Sequence, residues 1–264
     1  MKPDYRNWVP RSMVLGLLAG TAITSILFVV LGMGDIVQNT VLRTVFAVIF
    51  GAGTLVLLFF TVWMYLLHRA FDYNGPRKLS KTIIDGVSSF VHIPDGGTGL
   101  DVGCGSGALT IACAKRNPDA LMVGCDIWSG AYKAVYGKEL CESNAKAEGV
   151  SNIGFEEGNA VSLPYPDETF DTVTSNYVYH NIAGKDKQEL LLETLRVLKK
   201  GGTFAIHDIM TPLRYGDMEA FVRKLKDQGY EDVRLIDTAD GMFMEKKEAK
   251  WMDLAGSTLL VGRK

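Results

Sequence analysis

Two long apolar runs dominate the first seventy residues of the chain. The run from Ser12 to Gly34 contains no charged residue, and the run from Thr44 to Leu67 repeats the pattern after a polar connection. Each run is about 23 residues long, enough to cross a hydrocarbon layer of about 30 Å as a helix. The pattern predicts a transmembrane helical hairpin over residues 1–69, with spans at about 12–34 and 44–67.

After Asn74-Gly75-Pro76, which breaks the preceding helix, short apolar strands alternate with amphipathic helices. This alternation predicts an α/β domain at residues 98–264: a mostly parallel sheet of about seven strands with helices on both faces. Residues 70–97 read as a linker and a leading helix. The predicted strands are 99–102, 121–125, 153–156, 172–175, 203–206, 232–236 and 258–261; the predicted helices are 81–91, 108–116, 131–147, 186–198 and 217–228.

The distribution of charge predicts the orientation of the hairpin. Residues 1–69 carry a net charge of +3, and the remainder of the chain carries −5. Basic residues flank the outer ends of both runs, which by the positive-inside rule places both ends and the α/β domain in the cytoplasm, on the cell membrane. A cleaved signal peptide is the alternative for the first run, but that run is long for one and a second run follows it. The flanking basic groups are Lys2, Arg6, Arg11, His68, Arg69, Arg77, Lys78 and Lys81.

The residue pattern within the hairpin indicates a membrane anchor that can also associate with a second copy of itself. Neither run contains an ionisable residue that could carry protons or ions. Gly16 and Gly20 form a GxxxG spacing, and Gly51 and Gly53 could allow close helix approach, so homo-oligomerisation through the hairpin is one expectation. Chance spacing is the competing explanation, because glycine is common in membrane helices.

Composition excludes several classes of partner. The acidic balance of the α/β part argues against nucleic acid, which would require a basic face. The four cysteines show no CxxC spacing, which favours free, buried thiols in a reducing compartment and no metal site. They are Cys104, Cys113, Cys125 and Cys141.

The stretch LDVGCGSGALT, residues 100–110, carries the strongest chemical signal. It follows a predicted strand and opens a predicted helix, and it places glycine at 103, 105 and 107. Glycines in such a turn let a ligand touch the backbone while helix N–H groups face its polar part. The same stretch also satisfies GxGxxA, so on its own it fits a dinucleotide as well as another nucleoside.

Further motifs give the stretch a family resemblance. They are Asp101 before the glycines, the acid that closes the second strand in VGCDIW, GNAVSLPYPDETFD at 158–171 and LLLETLRVLKKGGTFAIHD at 190–208. Together they resemble the class I S-adenosylmethionine-dependent methyltransferases, most closely the branch that includes the ubiquinone and menaquinone biosynthesis enzymes. The resemblance covers roughly residues 78–264 and implies a Rossmann-like methyltransferase sheet. It does not cover the hairpin, which that branch generally lacks.

The resemblance also implies roles for individual residues. The glycines would face the amino-acid and ribose parts of S-adenosylmethionine, and Asp101 would lie beside the methionine ammonium. Asp126 would accept hydrogen bonds from the ribose hydroxyls, Ile127 would pack on the adenine, and Asn159 stands where the family more often has aspartate at the adenine edge. The cofactor-binding set implied in this way is Asp101, Gly103, Cys104, Gly105, Gly107, Asp126, Ile127, Asn159, Ala160 and Asn176.

The segment SNYVYHNI after the fourth strand supplies candidate catalytic side chains. His180 could serve as a general base, since an imidazole titrates near neutral pH, and Tyr177 and Tyr179 could line the methyl path. His207 and Asp208, at the end of TFAIHDI, also point toward the site. Packing and helix capping are the competing explanation for all of these residues.

A tether to the membrane indicates the kind of methyl acceptor. It raises the effective concentration of a substrate that exists only at the bilayer. The sequence therefore predicts a membrane-anchored methyltransferase acting on a hydrophobic or amphipathic small molecule, with a phospholipid headgroup and a quinone-type ring as equal candidates. A nicotinamide-dependent oxidoreductase and a non-catalytic membrane adaptor remain the alternatives.

Overall fold

The computed structural model describes residues 2–128 and 136–264. The chain divides into two compact units, residues 6–80 and residues 1–5 together with 81–264. This division differs from the predicted boundaries in two respects. The predicted linker and leading helix at residues 70–97 are divided, with 70–80 in the unit of the long helices and 81–97 in the α/β unit. The first five residues, expected to precede the hairpin as its flank, belong to the α/β unit.

The unit at residues 6–80 is built from two long apolar helices. Helix α1 spans Arg11–Leu27 and continues as a π-helical segment, Phe28–Met33, and helix α2 spans Thr40–Phe71. Both are long and apolar enough to cross a membrane by length and composition. Asn39 caps α2 by accepting a hydrogen bond from the Leu42 amide.

Contacts inside this unit involve two of the predicted glycines and one further glycine. A Cβ on Gly51 would lie 3.2 Å from the Phe28 ring, and a Cβ on Gly20 would lie 3.5 Å from the Leu57 side chain. A Cβ on Gly32 would stand 2.7 Å from the Ala47 Cα, so Gly32 marks a close backbone approach, whereas a Cβ on Gly16 or Gly53 would meet nothing within 4 Å. The Thr21 and Thr61 hydroxyls, 3.0 Å apart, form a hydrogen bond between the two helices.

The α/β unit contains a seven-stranded sheet in the order β3-β2-β1-β4-β5-β7-β6. Strands β1 to β5 are parallel, and β7 runs antiparallel between β5 and β6. The predicted α/β fold with a mostly parallel sheet is confirmed. The strands are β1 Thr98–Val102, β2 Leu121–Asp126, β3 Ile153–Glu157, β4 Phe170–Asn176, β5 Leu198–Ile209, β6 Glu231–Asp237 and β7 Ser257–Arg263.

Most helices of this unit begin close to where the sequence predicts them. Asp186 and Asp217 cap α6 and α8 by accepting hydrogen bonds from backbone amides one helical turn on. Helix α5 is described from Lys138, and the predicted earlier start at residue 131 lies outside the described residues. The helices are α3 Leu79–Ser88, α4 Ala108–Arg116, α5 Lys138–Ala147, α6 Lys187–Arg196, α7 Pro212–Tyr215, α8 Met218–Asp227 and α9 Lys246–Trp251.

The order of the strands positions the site. The strand order reverses between β1 and β4, because β2 and β3 are added on one side of β1 and β4 and β5 on the other, while all five strands stay parallel. In open sheets of this type, ligands bind beyond the carboxyl ends of the strands at that reversal. The glycine stretch directly follows β1 at this point.

Candidate functional site

The glycine stretch forms a turn that requires glycine for its conformation. Gly103, Gly105 and Gly107 have φ angles of +75°, +56° and +80°, a region that disfavours other residues. A Cβ on Gly103 would lie 2.4 Å from Val178, but a Cβ on Gly105 would meet nothing within 4 Å. Gly105 therefore exposes its backbone to open space, as a ligand cradle requires.

The carboxyl end of β2 holds this turn in place. Asp126 accepts hydrogen bonds from the Gly105 amide through Oδ2 and from the Trp128 amide through Oδ1, each at 2.9 Å. The Trp128 indole Nε1 donates to the Gly105 carbonyl at 3.0 Å. Trp128 was missed by the sequence prediction, although it ends the motif VGCDIW that drew attention to Asp126.

A cavity of about 470 Å³ opens at the carboxyl ends of β1 to β4. It brings together seven of the predicted residues: Gly103, Gly105, Asp126, Ile127, Asn159, Ala160 and Tyr177. Residues that the sequence prediction missed complete the lining, namely Tyr136, Gly158, Val161, Val178, Asn181 and Ile182. Most of these lie next to a predicted residue in the chain, so proximity in sequence was the available signal.

Asp101 lies behind the cavity wall. It is 1% exposed and accepts a hydrogen bond from the Thr110 hydroxyl at 2.7 Å. Burial raises the pKa of its carboxyl to about 7, since desolvation disfavours the charged form. Asp101 is thus placed behind the glycine turn, and its predicted contact with the ammonium group remains a prediction.

Cys104, Gly107 and Asn176 also lie outside the cavity lining. Cys104 is buried, and burial raises the pKa of its thiol, which keeps it a neutral packing group. Gly107 is the N-cap of α4. Asn176 ends β4, and its side-chain oxygen lies 2.8 Å from Nδ1 of His207.

His207 is enclosed in the protein rather than directed into the cavity. Its ring is fully buried between Tyr177 and Phe243, and its Nε2 lies 2.8 Å from the Thr238 hydroxyl. Burial lowers its pKa to about 3, so the ring is neutral at physiological pH. His207 therefore supports Asn176 and Tyr177 and is not placed to act as a base.

The two tyrosines of the SNYVYHNI segment have different surroundings. Tyr177 lines the cavity in a left-handed conformation (φ +55°), and its hydroxyl bonds the Ser257 hydroxyl at 2.7 Å. Tyr179 is fully buried in the core, and its hydroxyl bonds Thr194 at 2.7 Å. The structure therefore removes Tyr179 from the methyl path and corrects that expectation, because no face of its ring reaches the cavity.

His180 forms an ion-pair geometry with a buried carboxylate. Its Nδ1 lies 2.5 Å from Oδ1 of Asp208, and its backbone amide donates to Oδ2 of Asp208. Burial raises the pKa of Asp208, but the hydrogen bond and charge of His180, together with hydrogen bonds from the Ile209 amide and Tyr215, outweigh burial. The net shift of this pKa is downward, and the carboxylate is charged. The His180 side chain is 16% exposed and lies between the cavity-lining residues Val178 and Asn181.

Comparison with known proteins identifies the proteins to which this chain is similar. Residues 100–206 match the family model described as a methyltransferase domain. Relatives include the demethylmenaquinone methyltransferase of Bacillus licheniformis, 33% identical over 53% of this chain and 56% of that protein. The uncharacterised methyltransferase YcgJ of Bacillus subtilis is 34% identical over 43% of this chain and 41% of that protein. The chain thus spans about half the length of these relatives.

Among solved structures, the [4+2]-cyclase SpnF is similar over 73% of this chain and 84% of its own, with a TM-score of 0.54 and 21% identity. Phosphoethanolamine N-methyltransferase 2 of Haemonchus contortus, solved with S-adenosyl-L-methionine, has a TM-score of 0.50 and 14% identity over 72% of this chain and 53% of its own. At these identities the likeness concerns the fold. Because the same fold serves a cyclase, the activity has to be argued from the site residues.

Proposed function

We propose that this chain, which contains a class I S-adenosylmethionine-dependent methyltransferase domain, methylates a hydrophobic small molecule that resides in a membrane. Residues 100–206 match a methyltransferase-domain model, and a solved neighbour with the same fold was crystallised with S-adenosyl-L-methionine, which supports S-adenosylmethionine as the cofactor. The observation that carries the proposal is the cavity in which the open backbone of Gly105, the Asp126 carboxylate and the segment at residues 177–182 meet.

The residues that line the cavity fit the cofactor. The open space at Gly105 is a cradle that any side chain would fill. Among the described residues each Asp126 oxygen accepts one hydrogen bond, so lone pairs remain with which the carboxylate can accept both hydroxyls of a ribose. Ile127, 46% exposed, offers an apolar surface to the adenine beside Asn159 and Ala160. When bound, S-adenosylmethionine supplies an activated methyl group, so the protein has to supply alignment and a dry site.

The rest of the lining favours an uncharged acceptor. Tyr136, Val161, Val178 and Ile182 are apolar or aromatic, and Asp126 is the one charged side chain among the described lining residues. A phospholipid headgroup would bring a phosphate that needs cationic partners. A quinone-type ring needs none, and the relatives named demethylmenaquinone methyltransferases agree with that class. We therefore place a quinone-type ring ahead of a phospholipid amine.

The two long helices support a membrane location. Only 6% of the most apolar window of each is buried, and large apolar side chains such as Val41, Leu55 and Val48 are more than 60% exposed. A core helix of a soluble protein would cover such side chains, whereas a bilayer provides the apolar surroundings they need. The hairpin would hold the domain on the cytoplasmic side, where the acceptor enters from the bilayer.

His180 is the side chain best placed to take a proton from a phenol, enol or carbon acid. The buried Asp208 carboxylate fixes the orientation of the ring and stabilises the imidazolium that proton transfer would create. Tyr177 can line the cavity or donate a hydrogen bond but cannot act as a base, because burial raises the pKa of its hydroxyl above its ordinary value.

The test is to supply methyl-labelled S-adenosylmethionine to the full-length protein in native membranes and to extract the lipids. Label in a quinone-type lipid, lost on Asp126→Ala, is the expected result. Label in a phospholipid would overturn the choice of acceptor, and absence of cofactor binding would overturn the activity. Binding of a nicotinamide cofactor would favour the oxidoreductase. Binding of S-adenosylmethionine without label in any fraction would favour the non-catalytic adaptor.

A matched pair of glycines controls for folding. Gly105 and Gly96 both have positive φ angles and open space around an added Cβ, but Gly96 lies before β1, at the opposite edge of the sheet. Gly105→Ala and Gly96→Ala should each cost about 1 kcal/mol in backbone strain. Only Gly105→Ala should also weaken cofactor binding.

A further inference from the structure

Residues 2–5, here called the N-terminal strap, pack on the α/β unit although the hairpin separates them from it in sequence. Tyr5 is 6% exposed, and its hydroxyl donates to Glu148 at 3.1 Å. The Asp4 amide donates to the side-chain oxygen of Asn144 at 2.7 Å, and the Asn144 amide group donates back to the Asp4 carbonyl at 2.9 Å. The strap is therefore fixed through both of its backbone polar groups at Asp4.

The partners of the strap also hold the glycine turn. The Asn144 amide group donates to the Ser106 carbonyl at 3.0 Å, and the Ser106 hydroxyl donates to the Tyr5 carbonyl at 2.9 Å. Ser106 lies between Gly105 and Gly107, so both its side chain and its carbonyl depend on the strap or on Asn144. The neighbouring Gly105 carbonyl is held separately, by Trp128 and by the thiol of Cys141.

Helix α5 presents this arrangement on one face. Cys141, Asn144 and Glu148 are spaced three and four residues apart, which places them on one side of a helix. Asn144 is 2% exposed. A buried amide of this kind would lose hydrogen-bond partners without the strap, and that loss is costly inside a protein.

We propose that Asn144 and the strap are positioning elements for the cofactor, an inference that rests on the proposed function. They fix the outer side of the glycine turn so that its inner side stays open to the cavity. Neither Asn144 nor the strap is among the described residues that line the cavity. The strap leads within six residues into α1.

The first experiment measures S-adenosylmethionine binding by calorimetry on the full-length protein in lipid nanodiscs. Asn144→Ala and Tyr5→Ala should each raise the Kd about tenfold. A tenfold change corresponds in free energy to the loss of about one net hydrogen bond. The double variant should bind little worse than either single variant, because both changes release the same turn.

Asn152→Ala is the matched control. The Asn152 amide group also donates to three backbone carbonyls, those of Ala114, Asn117 and Ala120, but it lies just before β3 at the edge opposite the cavity. This variant should lower the Tm without changing the Kd. An unchanged Kd in Asn144→Ala and Tyr5→Ala, with a Tm loss like that of the control, would overturn the proposal.

Hydrogen exchange without cofactor separates this proposal from the proposed function. The amides of residues 103–108 should exchange faster in Asn144→Ala and Tyr5→Ala than in the wild type, and no faster in Asn152→Ala. Unchanged exchange at these amides would refute a positioning role. Faster exchange in a protein that binds no S-adenosylmethionine would instead refute the methyltransferase assignment and leave the strap as a support of the turn.

Discussion

At the scale of single residues, His180 and Asp208 form the pair with the clearest chemical consequence. His180→Ala should lower kcat by about 10²–10⁴ if the acceptor must lose a proton, the range typical of a removed general base. The Kd for S-adenosylmethionine should change little, because the proposed cofactor contacts are made by other residues, Asp126, Ile127 and Asn159. Steady-state kinetics with the extracted acceptor, combined with calorimetry, would measure both.

His92 provides the control for that variant. It is an exposed histidine before β1, and its backbone carbonyl, not its ring, accepts hydrogen bonds from Thr172. His92→Ala should leave kcat unchanged. Full activity in His180→Ala would mean that the acceptor reacts without a base from this segment.

Asp101 should leave a signature in the pH dependence of stability. Burial raises the pKa of its carboxyl in the folded protein from 3.8 to about 7. The contribution of Asp101 to the free energy of unfolding is therefore fully present below about pH 4 and is lost as the pH rises to about 7. Asp101→Asn has no charge to bury. Between pH 5 and pH 8, the free energy of unfolding of the Asn variant should therefore rise relative to that of the wild type by on the order of 2 kcal/mol, as measured by thermal unfolding. A gap that is the same at both pH values would contradict this.

The SNYVYHNI segment shows where prediction from sequence ends at this scale. Tyr179 and His180 are adjacent in sequence, but a short 3₁₀ turn, Tyr179–Asn181, places Tyr179 in the core and His180 beside Asp208. No periodic pattern in the sequence distinguishes the two. Asp126 could be predicted because it ends a strand whose position the alternating pattern already fixed.

At the scale of elements, the hairpin offers a test of helix packing. Gly32→Ala would place a Cβ 2.7 Å from the Ala47 backbone, and separating the helices should cost about 1–3 kcal/mol. Gly53→Ala, where a Cβ meets nothing within 4 Å, should be close to neutral. Unfolding of the helices in mixed detergent micelles, followed by circular dichroism, would show the difference. Equal stability of the two variants would mean that Gly32 is not a packing contact.

The strands and helices themselves were largely predictable, because apolar periodicity decides them locally. The strand β1 and the helix α4 lie within one residue of their predicted bounds. The contact at Gly32 and the strap were not predictable. Both depend on which distant segments meet, and Asp4 and Asn144 are 140 residues apart.

At the scale of the whole molecule, the proposed topology predicts which sites a membrane-impermeant thiol reagent can reach. The four native cysteines are buried, so introduced ones should dominate the labelling. Gln38→Cys, in the exposed connection between the long helices, should react in intact cells. Ser151→Cys, exposed on the α/β unit, should react only after lysis. The reverse pattern would place the domain outside the cytoplasm.

The strap also implies an order of events during biosynthesis of the protein. Its residues leave the ribosome before the two long helices do, whereas Ser106 and Asn144 are synthesised after both helices. In the proposed topology, the strap can reach them only if the hairpin has inserted with both ends on the same side of the bilayer. A chain in which only one of the two long helices crossed the bilayer would leave the strap across the membrane from its partners. Completion of the cofactor turn would then report that membrane insertion has succeeded.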